Sequence, residues 1–380
     1  MRPTPRAKLN VLWAVLPFLA AGCPAADHPG AAPAVTAAPD ASPASAPDVP
    51  PVIFDTDMWS DIDDALALAM LHALHDRHEI NLVAVTVSTA EPWCASYVDL
   101  VNTFYGHAEI PVGLTHDGPT TADFARRFPQ SKGPTTRYTE ILSQETKSDG
   151  SPVYPHRLVD GAKAPEAVAL LRRTLAAQPD GSVVMIQVGY STNLAALLDS
   201  PADASSPLPG RELVAQKVKL LSAMAGNFHD GAPEFNLVVD VPAAKKVFSR
   251  WPTPIVDSGF EIGLAMLYPG QSIAHDYGYV EHHPIAEAYL TFCEEQKERG
   301  WQGQCPHDHP TFDLTAVLYA ARPDLDYFSL SKPGRITVLS DGSSRFKESA
   351  DGPHRYLILD KRQKARTLEE MVRLATQPPA

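Results

Sequence analysis

Five aspartates fall within ten residues in Asp55-Thr-Asp57-Met-Trp-Ser-Asp61-Ile-Asp63-Asp64. They lie between an apolar run, Pro51 to Asp57, and a second apolar stretch, Asp63 to His75, so they cannot all point to solvent. Burying several like charges together is expensive unless a cation neutralises them. Hard oxygen ligands on a turn suit Ca²⁺ or Mg²⁺, and calcium is the expected ion. The bland alternative is a solvated acidic turn capping the next helix. An EF-hand loop is excluded: counting from Asp55, Trp59, Ser60 and Leu66 stand at the fifth, sixth and twelfth places, where that loop needs an oxygen ligand, Gly and Glu. Thr192 and Asn193, Glu234 and Asn236, and Asp313 are further polar residues at element boundaries. Taken singly, each also reads as a helix cap or a loop polar group.

The elements that position these residues follow from hydrophobic patterning. Pro51 to Asp57, Ile80 to Val87, Ser182 to Val188, Val218 to Ala225 and Thr253 to Val256 read as buried strands. Arg335 to Leu339 and Tyr356 to Leu359 are also strand-like. Helical spacing covers Asp63 to His75, Ala95 to Tyr105, Ala164 to Ala177, Thr192 to Leu198, Val241 to Ser249, Ile285 to Arg299, Leu314 to Ala321 and Thr367 to Thr376. Strands alternating with helices imply βαβ units: an α/β fold with an open, mostly parallel, Rossmann-like sheet flanked by helices. Ligands in such sheets bind beyond the carboxyl ends of the strands, where the acidic cluster falls. The polar stretch Gly118 to Ala162 is expected to be a long lid or insertion.

The first fifty residues have another character. Arg2, Arg6 and Lys8 precede the short apolar run Val11 to Ala20, which reads as an export signal. Ala20-Ala21-Gly22-Cys23 resembles a bacterial lipobox, with Leu19 one place further from the cysteine than usual. Residues 24–50, nearly all Ala, Pro, Asp and Ser, form an extended tether. The expected organisation is therefore signal or lipobox at 1–23, linker at 24–50 and one catalytic domain at 51–380, in a periplasmic or outer-membrane lipoprotein. Export permits disulfides; Cys293 and Cys305 are close enough in sequence to pair, which leaves Cys94 odd. A net charge of −13 argues against nucleic-acid binding and against docking on anionic lipid.

Four segments in order carry a family resemblance. Asp55-Thr-Asp57 followed by Asp63-Asp64-Ala-Leu-Ala-Leu resembles the opening of the inosine–uridine-preferring nucleoside hydrolases. Gly189-Tyr-Ser-Thr192-Asn193-Leu-Ala195, Pro233-Glu234-Phe235-Asn236 and Thr311-Phe312-Asp313 resemble that family's later segments. The resemblance implies a calcium-dependent hydrolase of ribonucleosides or a related ribosyl compound, often a homodimer or homotetramer. It implies Asp57, Asp64 and Asp313 as carboxylate ligands and Thr192 as a backbone-carbonyl ligand. Asp55 is then support behind the metal, Asp63, Glu234 and Asn236 hold the ribose, Asn227 reaches its 5′ end, and Asp57 is the base acting on a metal-bound water. Other readings are a non-catalytic calcium and sugar binder on the same fold, and a phosphatase with an aspartate nucleophile, since Asp-x-Asp after a strand resembles the haloacid dehalogenases. That second family usually has Thr or Val where Trp59 stands.

Three features depart from the nucleoside hydrolase pattern. The turn from Asp57 to Asp63 is two residues longer, which makes Asp61 an extra carboxylate. Glu91 stands near the place of an Asn after the second strand. Phe312 occupies the position of a histidine that helps the base leave; His307 and His309 lie nearby and could substitute as acid, although such histidines more often lie on a loop surface.

Overall fold

Strand β1 (Pro51–Thr56) is buried along its whole length, as a continuous apolar run predicts, and lies inside the sheet, paired on both edges. The computed structural model describes residues 49–59, 61–127, 137–298 and 300–380. The expected export signal, Cys23 and the tether up to residue 48 lie outside them. Residues 48–380 form one compact unit. No helix among the described residues is long and apolar enough to cross a membrane.

The chain alternates as patterned: β1, α1 (Asp63–Asp76), β2 (Asn81–Val87), α2 (Pro92–Phe104), β3 (Val112–Leu114), α3 (Thr121–Arg127), α4 (Tyr138–Gln144), α5 (Ala167–Ala177), β4 (Val183–Gln187), α6 (Thr192–Asp199), α7 (Gly210–Lys217) and β5 (Val218–Met224). It continues through α8 (Phe235–Val239), α9 (Val241–Arg250), β6 (Ile255–Ser258), α10 (Phe260–Leu264), β7 (Leu267–Tyr268), α11 (Gly270–His275), α12 (Pro284–Glu298), β8 (His309–Pro310) and α13 (Phe312–Ala321). It ends with β9 (Ser329–Leu330), β10 (Gly334–Val338), β11 (Ser344–Glu348), β12 (His354–Ile358) and α14 (Lys361–Ala375).

The main sheet runs β3-β2-β1-β4-β5-β6-β12-β10-β11, with β9 on β12. It is parallel from β3 to β12, and the two strands beyond are antiparallel. The order reverses between β1 and β4, so a crevice opens beyond the ends of these two neighbours. Helix α1 is buried from Asp63 to Leu74 because Leu, Ala and Met occupy every side of it. It packs on α13 and α14. Helix α13 is likewise apolar all round and bridges α1 and β5.

The described part of the stretch Gly118 to Ala162, expected to be a lid or insertion, is partly helical. It carries α3 and α4, and α4 packs on α2 and α12. The isolated pair β7–β8 places His309 opposite Tyr268. Cys293 and Cys305 form a disulfide, and Cys94 is a buried free thiol.

Candidate active site

The acidic cluster sits at the carboxyl end of β1, and its members face different ways. Asp55, still within the strand, points beneath the site. Its Oδ1 accepts from Thr86 Oγ1 at 2.5 Å and Asn193 Nδ2 at 2.7 Å, and its Oδ2 is buried without a partner among the described residues. Burial raises its carboxyl to about 7, against the pull of those two donors. A carboxylate engaged in this way, and absent from the cleft wall, has no line of attack on a ligand. The aspartate-nucleophile reading therefore has no geometric support at Asp55.

The chain then turns. Thr56 Oγ1 donates to Asp64 and accepts from the Met58 amide at 3.0 Å. Met58 and Trp59 are buried, and Trp59 meets Phe124 of α3 edge-on at 5.7 Å between ring centroids. The turn thus buries a plug of apolar side chains against α3. Tyr138 of α4 pins the turn by donating its hydroxyl to the Asp61 carbonyl at 2.9 Å. On the β4 side the turn at Gly189 approaches so closely that a Cβ there would stand 2.4 Å from the Asp57 amide nitrogen. Only glycine lets the two strand ends come together.

Asp57, Asp61, Asp63, Asp64 and Asp313 all line one cleft of about 190 Å³, with Glu234, Asn236, Val188, Met224 and the rings of Phe124, Phe235, Phe260 and Phe312. Carboxylate oxygens of Asp63, Asp64 and Asp313 lie within 4.8 Å of one another. Asp63 Oδ2 accepts the Asp313 amide at 3.0 Å, which locks the start of α1 to the start of α13. Burial, then the neighbouring charges, pushes Asp63 up to about 8 and lifts Asp64 and Asp313 well above the ordinary carboxyl range. Three buried carboxyls that resist ionising together are a donor set for a hard divalent cation, so the residues present fit one.

The other expected residues are placed less uniformly. The Glu234 carboxylate lines the cleft but also caps α8, accepting from the amides of Asn236 at 2.9 Å, Gly226 at 2.9 Å and Leu237 at 3.3 Å. Burial raises it to about 7 despite these donors. The Asn236 amide donates to the carbonyls of Val188 at 2.6 Å and Met224 at 3.0 Å, tying the ends of β4 and β5. Thr192 donates its hydroxyl to Asp240 at 2.8 Å, so any contribution to a metal falls to its main chain. Asn227 is not on the cleft wall; its Oδ1 accepts from the amides of His229 and Asp230. Glu91 precedes α2, also away from the wall.

Sequence reading missed the engagement of Asp61. His309 Nε2 lies 2.5 Å from Asp61 Oδ1, 248 positions earlier in the chain. Burial opposes charge on both groups. The ion pair prevails, so Asp61 is held below and His309 above its ordinary value. A close pair of opposite sign is evidence against a second metal among Asp61, Asp63 and His309, whose ligand atoms are also mutually near.

The model of the inosine–uridine-preferring nucleoside hydrolases matches residues 52–372. The chain belongs to that family. Its members are N-glycosyl hydrolases, and the parallel sheet with its switch-point cleft is their fold. A plant nucleoside hydrolase superposes with a TM-score of 0.59 at 20% identity, covering 87% of this chain and 99% of the other. The inosine–uridine-preferring enzyme of Bacillus anthracis gives 0.59 at 19%, with 86% and 99% covered. The purine-preferring ribonucleoside hydrolase of Gardnerella vaginalis gives 0.59 at 16%, again with 86% and 99%. No curated protein matches the chain in sequence. The hydrolase therefore keeps the family's fold at low identity, with Asp61 and Phe312 on its cleft wall.

Proposed function

We propose that the enzyme hydrolyses the N-glycosidic bond of ribosides in a calcium-dependent reaction, with Asp57 as the base. The observation that carries this reading is the convergence of Asp63, Asp64 and Asp313 beside Asp57 in a cleft at the sheet's switch point. Asp57, Asp64, Asp313 and the Thr192 main chain would hold the ion. When bound, the ion supplies a water of lowered pKa and two positive charges against the carboxylates.

The protein's own groups account for the remainder. Asp57, at the mouth of β1, takes the proton of the attacking water. Asp63, Glu234 and Asn236 hold the ribose hydroxyls, and their fixed positions at α1 and α8 keep C1′ over the attacking oxygen. The ring of carboxylates favours the positive charge that grows on the sugar as the bond breaks. The signal-like N-terminal sequence and the disulfide support a site of action outside the cytoplasm.

The test is ribose release from a nucleoside panel, with and without chelator. Release lost on chelation and restored by calcium is the expected result. Asp57→Ala should lower kcat by about 10²-fold or more, the usual contribution of a positioned base. If calcium and ribose bind but no riboside is cleaved, the chain is a binding protein on an enzyme fold.

A further inference from the structure

This inference rests on the riboside-hydrolase reading and concerns which base the ribose carries. A neutral base leaves from C1′ as an anion unless an acid protonates it. The described cleft wall carries no imidazole, hydroxyl, thiol or ammonium group to act as that acid, and a bound ion would keep its carboxyls deprotonated. Its lining consists of carboxyl groups, the amide of Asn236 and apolar side chains, with Phe312 directly before Asp313. The Asn236 amide hydrogens already go to the Val188 and Met224 carbonyls. Both Glu234 oxygens accept backbone amides, and Asp63 accepts one, so these carboxyls face the protein as acceptors. His309, the near imidazole, is not on the wall. It is turned onto Asp61 and enclosed by Phe292 and Tyr289, with ring centroids at 5.3 and 6.3 Å.

What the wall offers is negative charge and aromatic surface. The Asp61 side chain meets His309 Nε2 and the Ile62 amide, the latter at 2.7 Å, through Oδ1. Among the described residues Oδ2 has no hydrogen-bond partner, and the side chain keeps 30% of its exposure. Asp61 is therefore fixed from behind while its second oxygen remains open to a ligand. The rings of Phe124, Phe235, Phe260 and Phe312 share the cleft, the last two stacked at 5.1 Å. Aromatic faces attract cations, the more so out of water.

We infer that the cleft selects N-ribosides whose leaving base carries a fixed positive charge, the N-ribosylpyridinium class, with Asp61 and the phenylalanine wall recognising that charge. Such a base needs no acid. Water adds its oxygen to C1′ as the C1′–N bond breaks, and the bonding pair moves onto the ring nitrogen and cancels its charge. The water proton passes to Asp57 and then to solvent. The products are ribose and a neutral pyridine.

Three substrates test this on the full chain with calcium: nicotinamide riboside, inosine and 4-nitrophenyl β-D-ribofuranoside, whose neutral aglycone leaves without protonation. The expected kcat/KM for nicotinamide riboside exceeds that for inosine by about 10²-fold, the low end of what an acid contributes. Because a pyridinium is also the better leaving group, Asp61→Asn isolates recognition. Asn keeps an oxygen for the Ile62 amide, so the turn is retained. The variant should raise KM for nicotinamide riboside at least ten times more than for the nitrophenyl riboside. Equal effects on the two substrates overturn the role of Asp61. Nitrophenyl riboside cleaved, with inosine matching or exceeding nicotinamide riboside, overturns the inference and leaves the hydrolase reading intact. No cleavage of any of the three removes that reading and this inference with it.

Discussion

Removing divalent ions should destabilise the protein, and by an amount that grows with pH. Without an ion, burial and the charge of Asp61 keep the Asp63 carboxyl protonated up to about 8, whereas an unfolded aspartate loses its proton near pH 4. Between those values the native state holds more protons than the unfolded one. Stability therefore falls as pH rises through the window, by at most about 1.4 kcal/mol per pH unit for one such group. Asp64 and Asp313 are shifted in the same direction. A bound cation replaces these protons, so its stabilisation is smallest near pH 5 and largest near pH 8. At an ion concentration a hundred times Kd, linkage gives about 2.7 kcal/mol, which for about 330 residues at roughly 2.1 cal/mol/K per residue is a rise in Tm of about 4 °C.

The assay is thermal unfolding in calcium and in chelator at a series of pH values. Asp313→Asn, isosteric but uncharged, should match or exceed ion-free wild type in Tm at pH 8 and should lose the calcium shift. A shift that is the same at pH 5 and pH 8, or that persists undiminished in Asp313→Asn, refutes the reasoning.

Two further substitutions probe the wall and the turn. Phe312→His places an imidazole proton donor beside Asp313 and should raise kcat on inosine by about tenfold or more with little gain on nicotinamide riboside; steady-state rates on both substrates decide it. Gly189→Ala drives a Cβ against the Asp57 amide; it should lower stability by about 1–3 kcal/mol, the usual range for overpacking, and lower kcat as Asp57 is displaced, measured by denaturant unfolding and ribose release.

The parts of the fold legible in the sequence are those buried on all sides. β1, β2 and β4 read as strands because a central parallel sheet needs unbroken apolar runs, and their ends agree with the structure to within a residue or two. Strands of two or three residues, such as β3, β7 and β8, have no period to detect. Helices α3 and α4 were hidden in a polar stretch because each is seven residues long and only part of its surface packs. The sequence placed Asp57, Asp63, Asp64, Glu234, Asn236 and Asp313 at strand ends and helix starts, and the structure brings these six to one cleft. Asn227 and Glu91 do not reach it, because loop lengths decide where a polar residue lands. No local signal couples Asp61 to His309 or Asn193 to Asp55; both contacts exist only once distant segments meet.

The Cys293–Cys305 disulfide ties α12 to the loop that leads into His309. The same loop is held by His307, whose carbonyl accepts from Tyr289 at 2.7 Å. The counter-ion of Asp61 thus stands on a segment secured by a covalent cross-link that survives only where thiols are oxidised. In oxidising surroundings the charge pattern of the cleft wall is built into the covalent framework. Where glutathione keeps cysteines reduced, the same segment depends on non-covalent ties alone.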